Sequence, residues 1–261
     1  MNQTSLLPII FLAAALSSCT TPLSHNPSFN ITRSDGRETI AQLQETPEPL
    51  ERPLIIIGGF FDPGVGAKTL KNKFSKITTD TPIVAIPLVG CKNFDACVTR
   101  VLREIKTQLP NGNSDETLEV DVVGISMGGL VARYAAVPHS YRTRLHIHRL
   151  FTISSPHQGA KLAPLPAFNE LQIEMRPGSV VLQAIEESTP DYEIYPYVRL
   201  GDEIVGADNA APAGENPWWV PAHIGEPRHH FAFVDSRFLA EIGLKLRGYE
   251  GYATHPRTPL P

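Results

Sequence analysis

The chain has 261 residues, 42% of them apolar and 19% charged, with a formal net charge of −4. This composition holds enough apolar mass for one sizeable core and suits a single α/β domain better than two small ones. It excludes the dense basic surface through which proteins hold nucleic acid.

Residues 1–18 are expected to be a signal peptide. Leu6 to Leu16 is an apolar run too short to remain as a membrane span, and small residues follow it. No Lys or Arg precedes it. Residues 19–51 are rich in Pro, Thr, Ser, Asn and Glu and predict a loosely packed tether. The folded domain is expected over 52–247. Leu54-Ile55-Ile56-Ile57, stopped by Gly58-Gly59, predicts a buried strand. A helix is expected around Ala67 to Lys76 and a second strand within Pro82 to Leu88. Val98, Val101, Leu102 and Ile105 have helical spacing.

Asp121 to Ile125 predicts a third strand and Gly128 to Ala136 the helix after it. His148 to Ser154 predicts a fourth strand, and residues 160–190 a small helical insertion. Ile194 to Leu200 predicts a fifth strand, with Pro196 hinting at an edge or a bulge. Pro217 to Val220 is a further strand candidate. Phe238, Leu239, Ile242 and Leu246 mark a last amphipathic helix, and residues 248–261 are expected to be a disordered tail. Strands alternating with helices imply parallel βαβ units, with reactive groups gathered at the carboxyl ends of the strands.

Gly124-Ile125-Ser126-Met127-Gly128 sits between a predicted strand and a predicted helix. A G-x-S-x-G turn in that context lifts a serine hydroxyl above the sheet at a helix N-terminus. A free serine is a poor nucleophile, so a base must accompany it. Cys91 and Cys97 lie close in sequence, and an oxidising compartment would favour pairing them as a disulfide. No Cys or His cluster has metal-ligand spacing, so no metal is expected, and no organic cofactor is implied.

The run Val122 to Tyr134 resembles the nucleophile region of bacterial triacylglycerol lipases, and Ser154-Ser155-Pro156-His157-Gln158-Gly159 is similar to their Thr-Pro-His-x-Gly segment. The resemblance extends over roughly residues 52–247 and implies an α/β-hydrolase fold: a mostly parallel twisted sheet with helices on both faces and a small helical insertion. It also implies a lipase- or esterase-like serine hydrolase acting on an ester or lipid substrate.

The expected chain order is Ser, acid, His. Gly201-Asp202-Glu203-Ile204-Val205 is similar to the segment that carries the acid in small lipases, which assigns Asp202, with Glu203 and Asp208 as alternatives. The family tends to place its His shortly before a D-P-R-like helix start, a place Asp235-Ser236-Arg237 occupies here, so the resemblance implies His229 as the base. The His230-Phe231 pairing keeps His230 open, and His223 is the next candidate. His157 lies on the wrong loop for a base and is expected to be structural. The oxyanion hole is assigned to the amides of Met127 and Phe60, with Phe61 as an alternative; Gly58 stands where the family usually has His. Phe60, Phe61, Trp218 and Trp219 could line an acyl site or belong to the core.

Leu16-Ser17-Ser18-Cys19 resembles a bacterial lipobox, which implies lipidation of Cys19 and anchoring to a membrane. Thr20 after the Cys implies, by resemblance to sorted lipoproteins, an exported protein of the cell envelope, at the outer membrane. Two rival readings accompany the esterase: a thioesterase or amidase with the same three residues, and a catalytically silent envelope lipoprotein that binds lipid or a partner. No protein partner is identifiable from the sequence.

Overall fold

The structure, a computed structural model, describes residues 25–110, 115–139, 143–161, 167, 169–223 and 225–260. The expected signal peptide, residues 1–18, and Cys19 lie outside the described residues. The strands are β1 (Leu54–Ile57), β2 (Ile83–Ile86), β3 (Val120–Ile125), β4 (Ile147–Ile153), β5 (Glu193–Arg199) and β6 (Trp218–Val220). They form one sheet in the order β2-β1-β3-β4-β5-β6, every neighbouring pair parallel. Helices α1 (Arg33–Glu45), α2 (Val65–Phe74), α3 (Phe94–Gln108), α4 (Met127–Ala136), α5 (Glu170–Glu174), α6 (Val180–Glu187) and α7 (Ser236–Leu246) cover its two faces.

The unbroken apolar run of β1 follows from this layering. Ile55 and Ile57 face a core shared with Val101, Ile105 and Val131 of α3 and α4. Leu54 and Ile56 face the opposite core, with Phe74 and Phe238 from α2 and α7. All four are fully buried, each stabilising the fold by roughly 1.5–3 kcal/mol. Pro196 is not in a bulge, and it does stand at a local edge on the β6 side of β5. It pairs with Thr152 on one side, while on the other β6 reaches only Tyr197 to Arg199, so its missing N–H leaves no ladder partner unsatisfied.

Three expectations are corrected. Residues 26–50 are not a loose tether. Thr32 caps α1 through a capping box with Asp35, and α1 packs along α7. Phe29 is buried against Tyr197, Trp218 and Phe238. The C-terminal segment is not disordered either. Ala253 bridges Phe29, Tyr252 hydrogen-bonds Thr39, and the Trp219 indole donates to the Thr258 carbonyl at 3.2 Å. The two segments meet at Phe29–Ala253 and Thr39–Tyr252, and the first packs otherwise on α7 and the strands beneath it.

Cys91 and Cys97, expected as a disulfide, are free thiols. The two are in hydrogen-bond contact, and burial of Cys97 on the first turn of α3 raises its pKa, with Cys91 adding to the effect. A thiol held protonated is a poor partner for oxidation.

Gly36 sets the closeness of α1 to α7: a Cβ there would lie 2.5 Å from the Ser236 carbonyl oxygen. On an exposed helix Gly→Ala is stabilising by about 1 kcal/mol. Here Gly36→Ala is expected to destabilise by roughly 1–3 kcal/mol through overpacking, measured as a lowered denaturant midpoint at unchanged m-value.

Candidate active site

The carboxyl end of β3 runs straight into α4, and Ser126 is the residue between them. It adopts φ 51° and ψ −123°, a left-handed conformation rarely taken by a residue with a side chain. Glycines make this turn possible. A Cβ on Gly124 would fall 2.5 Å from the Gly129 Cα, and one on Gly128 2.4 Å from the Ile57 carbonyl oxygen. The Ser126 amide donates to the Ile153 carbonyl at 2.8 Å, tying the turn to the end of β4.

Ser126 Oγ lies 3.0 Å from His229 Nε2. The other ring nitrogen, Nδ1, lies 3.0 and 3.1 Å from the two carboxylate oxygens of Asp202. An ionised Asp202 can only accept, so Nδ1 carries the proton and the Nε2 lone pair faces the serine hydroxyl. Asp202 follows β5 and is buried, and its Oδ1 also accepts from the Ile204 and Val205 amides at 3.1 and 2.9 Å. Burial acts to raise its pKa. The hydrogen bond from His229, with that from the Val205 amide, outweighs burial and holds it below the usual carboxylate range.

The structure thus brings Ser126, His229 and Asp202 together. The alternatives stand apart: Glu203 and Asp208 are exposed, and His223 meets Glu226 through its backbone. His230 is exposed with its ring at 86° to that of His229, at the pocket rim.

The loop after β1 abuts the nucleophile: a Cβ on Gly59 would lie 3.4 Å from the Ser126 Cβ. Asp62 orders this loop. Its amide donates to the Gly59 carbonyl at 3.2 Å, and its carboxylate accepts from the Gly64, Gly66 and Ala67 amides at the start of α2. The turn between holds Phe60 and Phe61, the latter at φ 55° with its ring exposed. Sequence reasoning passed over Asp62; an Asp shortly before the first turn of a helix is the signal that could have found it.

A cavity of about 330 Å³ opens over Ser126, lined by Phe60, Phe61, Met175, Val205 and Phe233 among others. Trp218 and Trp219 of β6 do not line it; they are buried in separate clusters, Trp218 with Phe29 and Phe238 and Trp219 with Val198 and Val205.

His157 is structural in its contacts. It is fully buried, with Nδ1 accepting from the Arg133 guanidinium at 3.1 Å and Nε2 beside Thr152 Oγ1 at 2.9 Å. Burial, reinforced by the Arg133 charge, drives its pKa well below the ordinary value. The folded protein therefore keeps His157 neutral where the unfolded chain binds a proton. That contribution to stability is present above about pH 6.5 and declines as the pH falls below it. His157→Gln is expected to flatten the fall in melting temperature between about pH 6.5 and pH 5 relative to wild type, read from thermal melts across that window.

Residues 91–175 match the family described as the PGAP1-like alpha/beta domain. Against curated protein sequences the chain has no significant match. Among solved structures, a candidate hydrolase from Agrobacterium vitis S4 superposes with a TM-score of 0.50 at 12% identity, covering 80% of this chain and 91% of that one. A candidate cell-surface hydrolase from Lactobacillus plantarum WCFS1 gives 0.45 at 14% identity, covering 76% and 90%. Phospholipase PlaB from Legionella pneumophila gives 0.45 at 12% identity over 61% of this chain, which spans only 45% of the phospholipase. The parallel sheet, the strand-to-helix turn at Ser126, the PGAP1-like match and the superposition on the Agrobacterium vitis structure agree on one architecture: the chain has the α/β-hydrolase fold.

Proposed function

We propose that the protein is a serine hydrolase that cleaves carboxylic esters with an apolar acyl group. The supporting observation is the unbroken run of contacts from Ser126 Oγ through the His229 ring to the Asp202 carboxylate, at 3.0 Å for each link. In this reading Ser126 Oγ attacks the ester carbonyl as His229 Nε2 takes its proton. The Met127 and Phe60 amides stabilise the oxyanion, and His229 then returns the proton to the departing alkoxide. A water deprotonated by the same nitrogen releases the acyl group as a carboxylic acid. Asp202 keeps the proton on Nδ1 and offsets the charge that develops on the ring. Phe60, Phe61, Met175 and Phe233 give the acyl chain an apolar lining.

The test is hydrolysis of p-nitrophenyl esters of graded chain length. Ser126→Ala and His229→Ala should lower turnover by about four orders of magnitude or more, and Asp202→Asn by about 10⁴ through the wrong imidazole tautomer. His230→Ala should stay within about tenfold of wild type, since it alters only the pocket rim. A wild type that cleaves no ester at any chain length, or a Ser126→Ala variant as active as wild type, would refute this reading.

We further propose that Cys19 is lipidated and anchors an exported protein to the outer membrane of a bacterial envelope. What supports this is the Leu16-Ser17-Ser18-Cys19 run after an apolar stretch. Among the described residues no helix is long and apolar enough to cross a membrane. Wild-type protein should incorporate labelled palmitate and sediment with membranes, while Cys19→Ser should do neither. A mature N-terminus found elsewhere than Cys19 would count against the anchor.

A further inference from the structure

A second cavity, of about 640 Å³, lies on the other side of the loop that carries His229, between that loop, α1 and α2. Its charges are unevenly distributed. At its floor Arg33 is held by both carboxylate oxygens of Glu226, at 2.6 Å each, and Arg199 by Asp235 at 2.8 Å. Those guanidinium charges are compensated. Arg37 of α1, Lys73 of α2 and Lys76 just beyond it line the same cavity and have no acidic partner among the described residues.

Three uncompensated cations therefore converge on one concavity of a chain whose net charge is −4. Surface lysines normally disperse, because like charges gathered around a cavity repel. Most of the remaining lining is apolar, with Ile40, Phe231, Val234 and Leu239, beside the polar Gln44 and Ser236. A narrow crevice that shares Ile40, Lys73 and Leu239 continues this lining to Leu43, Phe74 and Ile77. The combination suits a ligand with a multiply charged anionic group and an apolar remainder. A carboxylate carries one charge, whereas a phosphate monoester carries about −1.5 to −2 near neutral pH and offers three acceptor oxygens, matching several donors at once.

We propose that this cavity is a binding site for a phosphate group borne on a small or amphiphilic molecule, separate from the pocket over Ser126. Arg37, Lys73 and Lys76 contact the phosphate, and the Ile40 and Leu239 side faces what is attached to it. The site is independent of the ester-cleaving reading. The two cavities share only the loop between them, which presents Phe231 and Val234 to one and His229 and Phe233 to the other.

Isothermal titration of the purified protein with inorganic phosphate and with dodecyl phosphate, against potassium chloride at matched ionic strength, tests this. Both probes should bind saturably and compete for one site. Tighter binding of dodecyl phosphate identifies an amphiphile as the ligand class, and equal binding identifies a small phosphate ester. Lys73→Gln/Lys76→Gln, and independently Arg37→Glu on the other helix, should each weaken both probes about tenfold or more. Far-UV circular dichroism and p-nitrophenyl ester turnover should stay as in wild type. Absence of saturable binding to wild type, or variants that fold normally and bind as tightly as wild type, would overturn the proposal.

Discussion

The architecture of the site depends on a steric constraint at one peptide turn. Ser126 holds a left-handed backbone conformation between β3 and α4, and the glycines at 124, 128 and 129 let the strand and helix on either side of it approach closely. A Cβ at Gly129 would come within 2.3 Å of Ser155 Oγ, and one at Gly128 would strike the backbone at the end of β1. With those atoms absent, α4 settles against the ends of β1 and β4, and the nucleophile stands clear of the sheet. The strain, of order 1–3 kcal/mol, is offset by the fully buried strands and helix on either side.

The partners of Ser126 arrive on loops, and loops need separate fixing. Asp202 is fixed by two backbone amides of its own turn. The longer loop bearing His229 is held from both ends by a buried ionic network. Asp235, the N-cap of α7, receives Arg237 and Arg199, and Arg199 also donates to the Pro227 carbonyl at 3.4 Å. Burial alone would raise the Asp235 pKa; the neighbouring guanidinium groups outweigh it and keep the carboxylate charged. A strand end, β5, thereby sets the position of Asp202 through its sequence neighbour and of the His229 loop through Arg199.

Much of this was legible from local pattern. β1 and β2 announce themselves as short apolar runs, because a parallel strand buried on both faces leaves no polar alternation to confuse the reading, whereas β4 and β5 mix apolar with charged residues. The Ser126 turn is legible because glycines at fixed offsets have one steric purpose. His229 and His230 could not be separated by counting, since adjacent side chains diverge and only the loop's three-dimensional path decides which one faces Ser126. The packed segment 26–50 was missed for a different reason. Its apolar residues, Phe29, Ile31, Leu43 and Leu50, are too sparse to register as periodicity, although the Thr32 and Asp35 capping box was there to be read. The thiol pair was misjudged because spacing says nothing about how deeply Cys97 is buried.

The packing of α1 on α7 also bears on how the molecule folds. The core on one face of the sheet is assembled from α3, α4 and α6 with the strands beside them in sequence, so its contacts close over short loops. The opposite core joins Phe29 and Leu43 to Phe238 and Leu246, roughly two hundred residues further along, and the antiparallel bridge between Phe29 and Ala253 seals it. Loop-closure entropy makes such distant pairings late and slow. During synthesis one side of the sheet can therefore consolidate while the other waits, with its aromatic residues uncovered, for residues 236–253 to be made. Protection of that half-built surface falls to whatever accompanies the emerging chain, and the interval of exposure is set by the rate of elongation.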